Sequence, residues 1–237
     1  MEFGPPRKYP AEEGSCLTWA LDSYQKMKNA KPNTEGKLLK DYLPLIDPSL
    51  KFKQFYGEGS FGMVMRTNKD NEDYRLKISK IDPETGNYYP LDDEYQKLED
   101  LVDSGVTPKP VNLYDNVPAA YIDKESMPYK FFEGNKGQNA YTTKVIEGKA
   151  LFEADKLNRF SLERSLRTML DKIHAKGYEF RLPESDINGK NILLGNDGKL
   201  YLIDPMMLTK RDESAEGLTD EERIAIDRIL TIYGEKW

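Results

Sequence analysis

Residues 55–66 read FYGEGSFGMVMR, with Gly57, Gly59 and Gly62 set between two short apolar stretches. Glycine weakens a strand, so inside one it marks a bulge or a close approach by another group. A hairpin stripped of side chains lets backbone N–H groups reach phosphate oxygens. Val64 follows where an apolar side chain could cover a base. Alone, the pattern G-x-G-x-x-G fits an ordinary tight hairpin equally well, so the rest of the chain has to decide.

Composition narrows the chemistry. The 237 residues are 38% hydrophobic and 32% charged, with a net charge of −6. That balance reads as globular, and the acidic excess argues against nucleic acid as a partner. No apolar run approaches the roughly 20 residues of a membrane span, and the start, MEFGPPRKYPAEEG, lacks the apolar core of a signal peptide. Cys16 is the only cysteine, so neither a disulfide nor a cysteine metal site is expected. His174 is the only histidine and reads as a structural residue near a helix end. The chemistry is left to Asp, Glu, Asn and Lys.

The elements follow from periodicity. Residues 1–10 read as disordered, 15–30 as an amphipathic helix and KLLKDYLPLID as a second short helix. FKQFYGEGS, FGMVMRT and DYRLKISK read as strands, the last two joined through NKDNED. LDDEYQKLEDLVDSG is helical, with Leu91, Tyr95, Leu98, Leu101 and Val102 on one face. KPVNLYDN, AAYIDKES, YKFFEG and NAYTTKVIEG read as short strands. FSLERSLRTMLDKIHAKG is the clearest helix, closed by Gly177. NILLG and KLYLIDP form a hairpin about NDGK, and Thr219 with Glu222 marks a capping box on the final helix. The order predicts an α+β chain whose sheet lies mainly in the first half.

Three further sites give the glycines a context. Lys77, in YRLKIS, could reach the phosphates of a ligand in the hairpin, provided a carboxylate holds its flexible stem. Glu94 is the favoured carboxylate, although Asp93, Glu94 and Glu99 share one charged helix for which a solvated face is the ordinary explanation. In SDINGKN, Asp186 and Asn191 are five apart, and Asp204 follows Asn191 by thirteen. Asn and Asp oxygens are hard ligands suited to Mg²⁺, which takes few protein ligands. Asp186 would then be free to accept a proton from an attacking hydroxyl.

In this order and at these spacings the residues resemble a protein kinase. The family pattern G-x-G-x-x-G-x-V is matched by Gly57, Gly59, Gly62 and Val64, and its phosphate-orienting lysine by Lys77. The glutamate that holds that lysine is matched by Glu94, the catalytic-loop D-x-x-x-x-N by Asp186 and Asn191, and the aspartate of DFG by Asp204. The resemblance covers roughly residues 52–230. It implies a bilobal α+β fold, with 52–147 as a sheet-bearing lobe and 148–237 as a reduced helical lobe; residues 1–51, read above as a helical extension, have no counterpart in the family. It implies ATP and Mg²⁺ as cofactors. Gly57, Gly59, Ser60, Phe61, Gly62, Val64 and Lys77 would bind the nucleotide, with adenine near a linker around Thr143 to Gly148. Asp186, Lys77 and Glu94 would be catalytic, and Asn191 with Asp204 would hold the metal.

The departures point within the family. Glu184-Ser185 replace the His-Arg before the catalytic aspartate, Asn188 stands for the lysine two beyond it, and Pro205-Met206 replace Phe-Gly. YEFRLPES is longer than the corresponding family segment. With 33 residues after Asp204 (204 to 237), a full activation loop is not expected. In these respects the chain is similar to the minimal kinases that bacterial pathogens inject into host cells (OspG/NleH type), which share the form D-[IL]-N-x-x-N. That resemblance implies secretion into a host cell, a serine or threonine of a host protein as acceptor, and a host partner as activator. Two alternatives stay open: a small-molecule kinase of the aminoglycoside-phosphotransferase type, and a pseudokinase that binds without catalysing.

Overall fold

A computed structural model of the chain describes residues 37–58, 62–80, 88–117, 120–123, 130–133, 138–180 and 191–235. The helix expected over 15–30 lies outside them. The fold is α+β. Its largest sheet is five-stranded, in the order β2 (Lys51–Glu58), β3 (Gly62–Lys69), β4 (Glu72–Ser79), β8 (Gln138–Lys144), β5 (Pro110–Val117). Every neighbouring pair in it is antiparallel. The β3–β4 hairpin is tighter than NKDNED suggested. Both strands run into that stretch, leaving Asp70 and Asn71 as the turn, with φ of +52° and +65°. Positive φ at both central residues matches the twist of the flanking strands, and Asp and Asn tolerate it.

The sheet is apolar on one face because residues alternate along each strand. Met63, Met65, Leu76, Ile78 and Ala140 form that face and pack with Val117, Leu50 and the fully buried Tyr42 and Leu43. The last two belong to helix α1 (Leu39–Ile46), so the segment before residue 51 supplies part of the sheet's covering. A separate three-stranded sheet has the order β1 (Lys37–Leu38), β7 (Lys130–Glu133), β6 (Ala120–Asp123). Across the main sheet's other face runs α2 (Asp92–Leu101), held by Leu91, Leu98 and Tyr95 against Tyr141 and Leu113.

A second apolar cluster lies mainly in the second half of the chain and also takes in Leu101 of α2 and Val106. Helix α3 (Arg159–His174) buries Leu162, Leu166, Met169, Leu170 and Ile173, the stripe expected from its sequence. These pack with Ala225, Ile226, Ile229 and Leu230 of α4 (Asp220–Tyr233). Ile192, Leu200 and Leu202 of the hairpin β12 (Ile192–Gly195) and β13 (Leu200–Leu202) complete the cluster. Asn158 caps α3, the Thr219–Glu222 capping box closes the start of α4, and Gly177 sits at φ +74° after α3. Short strands missed by periodicity extend this half. They are β9 (Gly148–Ala150) beside β12, β10 (Leu157–Asn158) with β15 (Gly234–Glu235), and β11 (Tyr178–Phe180) with β14 (Leu208–Lys210). Among the described residues, no helix is long and apolar enough to cross a membrane.

Candidate active site

Lys77 lies on β4 directly between Val64 on β3 and Tyr141 on β8. Strand alternation puts this trio on the face opposite Met65 and Leu76, the face α2 crosses. Of the three acidic candidates on α2, the packing selects Glu94. Glu94 is fully buried, whereas Asp93 and Glu99 are exposed. The Lys77 ammonium donates to both carboxylate oxygens of Glu94, at 2.8 and 2.7 Å, and to Asp204 Oδ2 at 3.2 Å. The Tyr141 hydroxyl donates to Glu94 Oε1 at 2.5 Å, so the glutamate is held from two strands.

Asp204 follows β13 and caps the short turn Pro205–Met207, where the Met206 N–H donates to Oδ1 at 3.3 Å. Asn191 immediately precedes β12. Its carbonyl accepts from the Ile203 N–H at 2.9 Å, which sets residue 191 across from the neighbour of Asp204. Asn191 and Asp204 line one cavity, walled by Leu166, Met169, Phe180 and Met207 among others.

The glycine stretch divides into two behaviours. The β2–β3 register slips between Phe55 and Gly57, and Gly57 has φ +155°, so a bulge occurs where glycine marked one. At Gly62 the close approach comes from inside the protein. A Cβ there would fall 2.8 Å from the Ile78 carbonyl and 3.1 Å from Lys77 Cε. The third glycine thus makes room for the lysine stem. Gly59, Ser60 and Phe61 lie outside the described residues, as does Asp186. The linker is shorter than Thr143–Gly148 suggested. Thr143 and Lys144 belong to β8, so the connection to β9 is 145–147, with Glu147 held by Arg66 at 2.6 Å.

Electrostatics distinguish the trio from a surface ion pair. Two carboxylates, Glu94 and Asp204, share the ammonium of Lys77, which leaves one net negative charge in a place where Lys77 and Glu94 are almost free of water. Burial pushes the Glu94 carboxyl up to about 7, with Asp204 adding to the rise and Lys77 and Tyr141 opposing it. The Lys77 ammonium is also shifted up: burial works against its charge, and the two carboxylates outweigh burial. Both shifts favour the bound proton, as an anionic excess requires.

Lys77 lies closer to Glu94 (2.7 Å) than to Asp204 (3.2 Å), so Asp204, which lines the same cavity as Asn191, is the less compensated carboxylate. A hard divalent cation would neutralise it, and these two side chains supply the right donors. Among the described residues no group of three His, Cys, Asp or Glu gathers to hold a metal. A cation here would complete its shell with water and ligand oxygens, which is the habit of Mg²⁺.

Two residues of the site escaped the sequence reading. Tyr141 lies in the strand-like NAYTTK and shows its partner only once β8 is placed beside β4. Lys97 was not singled out on its charged helix, yet it is only 7% exposed. Its ammonium donates to Asp93 Oδ2 at 2.5 Å and to the Met206 carbonyl at 3.2 Å. His174, by contrast, contacts the buried Glu222 at 2.8 Å, where it ties α3 to α4. No protein-family model matches this chain, and no curated protein matches it.

Proposed function

We propose that the chain is an ATP- and Mg²⁺-dependent phosphotransferase of the protein-kinase kind, with a bilobal arrangement about the Lys77 face. The observation that carries the reading is the Lys77–Glu94–Asp204 cluster. It joins residues 17 and 127 positions apart through hydrogen bonds of 2.7 and 3.2 Å. A buried charged trio is costly to assemble and weak as a stabiliser of the fold, so a functional role is the better account of it.

In this reading Lys77 draws the nucleotide phosphates toward the sheet while Glu94 and Tyr141 fix its direction. Val64 covers the base, and Asn191 and Asp204 would hold Mg²⁺, whose charge would offset that of the transferred group. Asp186 accepts the proton of a serine or threonine hydroxyl. The bond from that oxygen to the γ-phosphorus forms, the bond between the γ-phosphorus and the β–γ bridging oxygen breaks, and ADP leaves. A host protein as acceptor, a host activator and delivery into a host cell belong to the same proposal and rest on the motif resemblance alone.

The test is transfer from γ-labelled ATP with Mg²⁺, with and without eukaryotic lysate, for the wild type and Asp186→Ala. Label on protein that the substitution abolishes supports the kinase. Label on sugars or aminoglycosides but on no protein would replace it with a small-molecule kinase. Nucleotide binding without any transfer would replace it with a binding module.

A further inference from the structure

We propose that Lys97 is a positioning residue, locking the turn that carries Asp204 onto α2 and so fixing Asp204 relative to Lys77 and Glu94. The inference rests on the phosphotransferase reading for its catalytic consequence, though not for the lock itself. A lysine ammonium is costly to bury without partners. Asp93 alone does not account for the burial of Lys97. That carboxylate is 74% exposed, and an i,i+4 pair forms readily on a helix surface. The second partner accounts for it. The Met206 carbonyl lies 109 residues away in sequence, on the turn after Asp204.

The Met206 residue is then held at both ends. Its carbonyl accepts from Lys97 at 3.2 Å, and its N–H donates to Asp204 Oδ1 at 3.3 Å. The other oxygen of Asp204 accepts from Lys77, and Lys77 donates to Glu94. Glu94 precedes Lys97 by three residues on α2, so the contacts close into a ring through one helical turn. Pro205 stiffens the turn from within by fixing its own φ. In this ring Lys97 touches neither phosphate nor metal and acts only through Asp204. The role requires a long cationic donor, which Arg retains and Met lacks while keeping most of the apolar stem.

The experiment uses the full chain as wild type, Lys97→Met, Lys97→Arg and Asp93→Asn. Two quantities are read: amide hydrogen exchange at Asp204 and at Met206, Met207 and Leu208, and transfer rate against Mg²⁺ concentration at fixed ATP. Loss of such a supporting contact costs on the order of 10–100-fold in metal affinity or activity. Lys97→Met should therefore lower kcat and raise the half-saturating Mg²⁺ by about 10-fold or more, with the KM for ATP nearly unchanged. It should also speed exchange at Met206. Lys97→Arg should restore most of both, and Asp93→Asn should leave both close to wild type. Unchanged exchange and unchanged Mg²⁺ dependence in Lys97→Met, with an active wild type, would overturn the lock and leave the phosphotransferase reading intact. Faster exchange in Lys97→Met with a wild type that transfers no phosphate would support the lock and defeat that reading.

Discussion

The two faces of the five-stranded sheet are built by opposite rules. One carries Met63, Met65, Leu76, Ile78 and Ala140 and is covered by Tyr42 and Leu43, so its stability is a matter of area and fit. The other carries Lys77 between Val64 and Tyr141 and stays charged although it is nearly as dry. Adjacent residues of one strand, Leu76 and Ile78 against Lys77, thus serve a core and a site. The apolar face tolerates change in proportion to the volume lost. The charged face depends on partners supplied from elsewhere in the chain, and removing one leaves the others uncompensated.

The sharpest way to break the contrast is Lys77→Met. On the charged face it should lower transfer by about 100-fold or more and destabilise the fold by about 3 kcal/mol, because Glu94 loses its cation. Kinetic assays and urea unfolding read the two effects. On the apolar face, Leu76→Ala should cost a similar 2–5 kcal/mol in urea unfolding, yet leave Mg·ATP affinity intact wherever the protein is folded. A loss of affinity larger than the loss of folded protein would show that the faces are not separable. Gly62→Ala probes the seam between them. Its methyl group would meet the Ile78 carbonyl and the Lys77 stem. A cost of roughly 1–3 kcal/mol is expected, together with weaker nucleotide binding as Lys77 is displaced, measured by calorimetry.

The smallest effect is in pH. The Glu94 carboxyl is held up at about 7, above its ordinary 4.5, so between those values the folded chain keeps a proton the unfolded chain has lost. The stabilisation this brings is complete below the lower value and is lost as pH rises toward the upper one. Without nucleotide, the Tm of the wild type relative to Glu94→Gln should therefore fall from pH 4.5 to 7. A Tm difference flat with pH would contradict the anionic excess assigned to the trio.

Much of this contrast was legible before folding. Residue type and place in the chain nominate Lys77 and its partner Glu94, whereas Asp204 as a second partner of Lys77 was not foreseen. The α+β class and most strands of the main sheet follow from periodicity. What stayed hidden depends on tertiary neighbours. Gly62 looked like room for a ligand, whereas its nearest atoms belong to Ile78 and Lys77. Lys97 sits among charged residues of its helix, and its distant partner, the Met206 carbonyl, lies 109 residues away in sequence. The strands β9, β11 and β14 are three residues each, too short for a period of two to register. The turn in NKDNED could not be narrowed to Asp70 and Asn71, since every residue in it is polar.

Calorimetric titration with ATP, in the presence and absence of Mg²⁺, on the wild type and Asp204→Asn tests the central claim most directly. The account predicts that Mg²⁺ tightens ATP binding to the wild type and that Asp204→Asn loses most of that gain while still binding nucleotide through Lys77. Equal affinity with and without Mg²⁺ in both proteins, or no binding to the wild type at millimolar ATP, would contradict it.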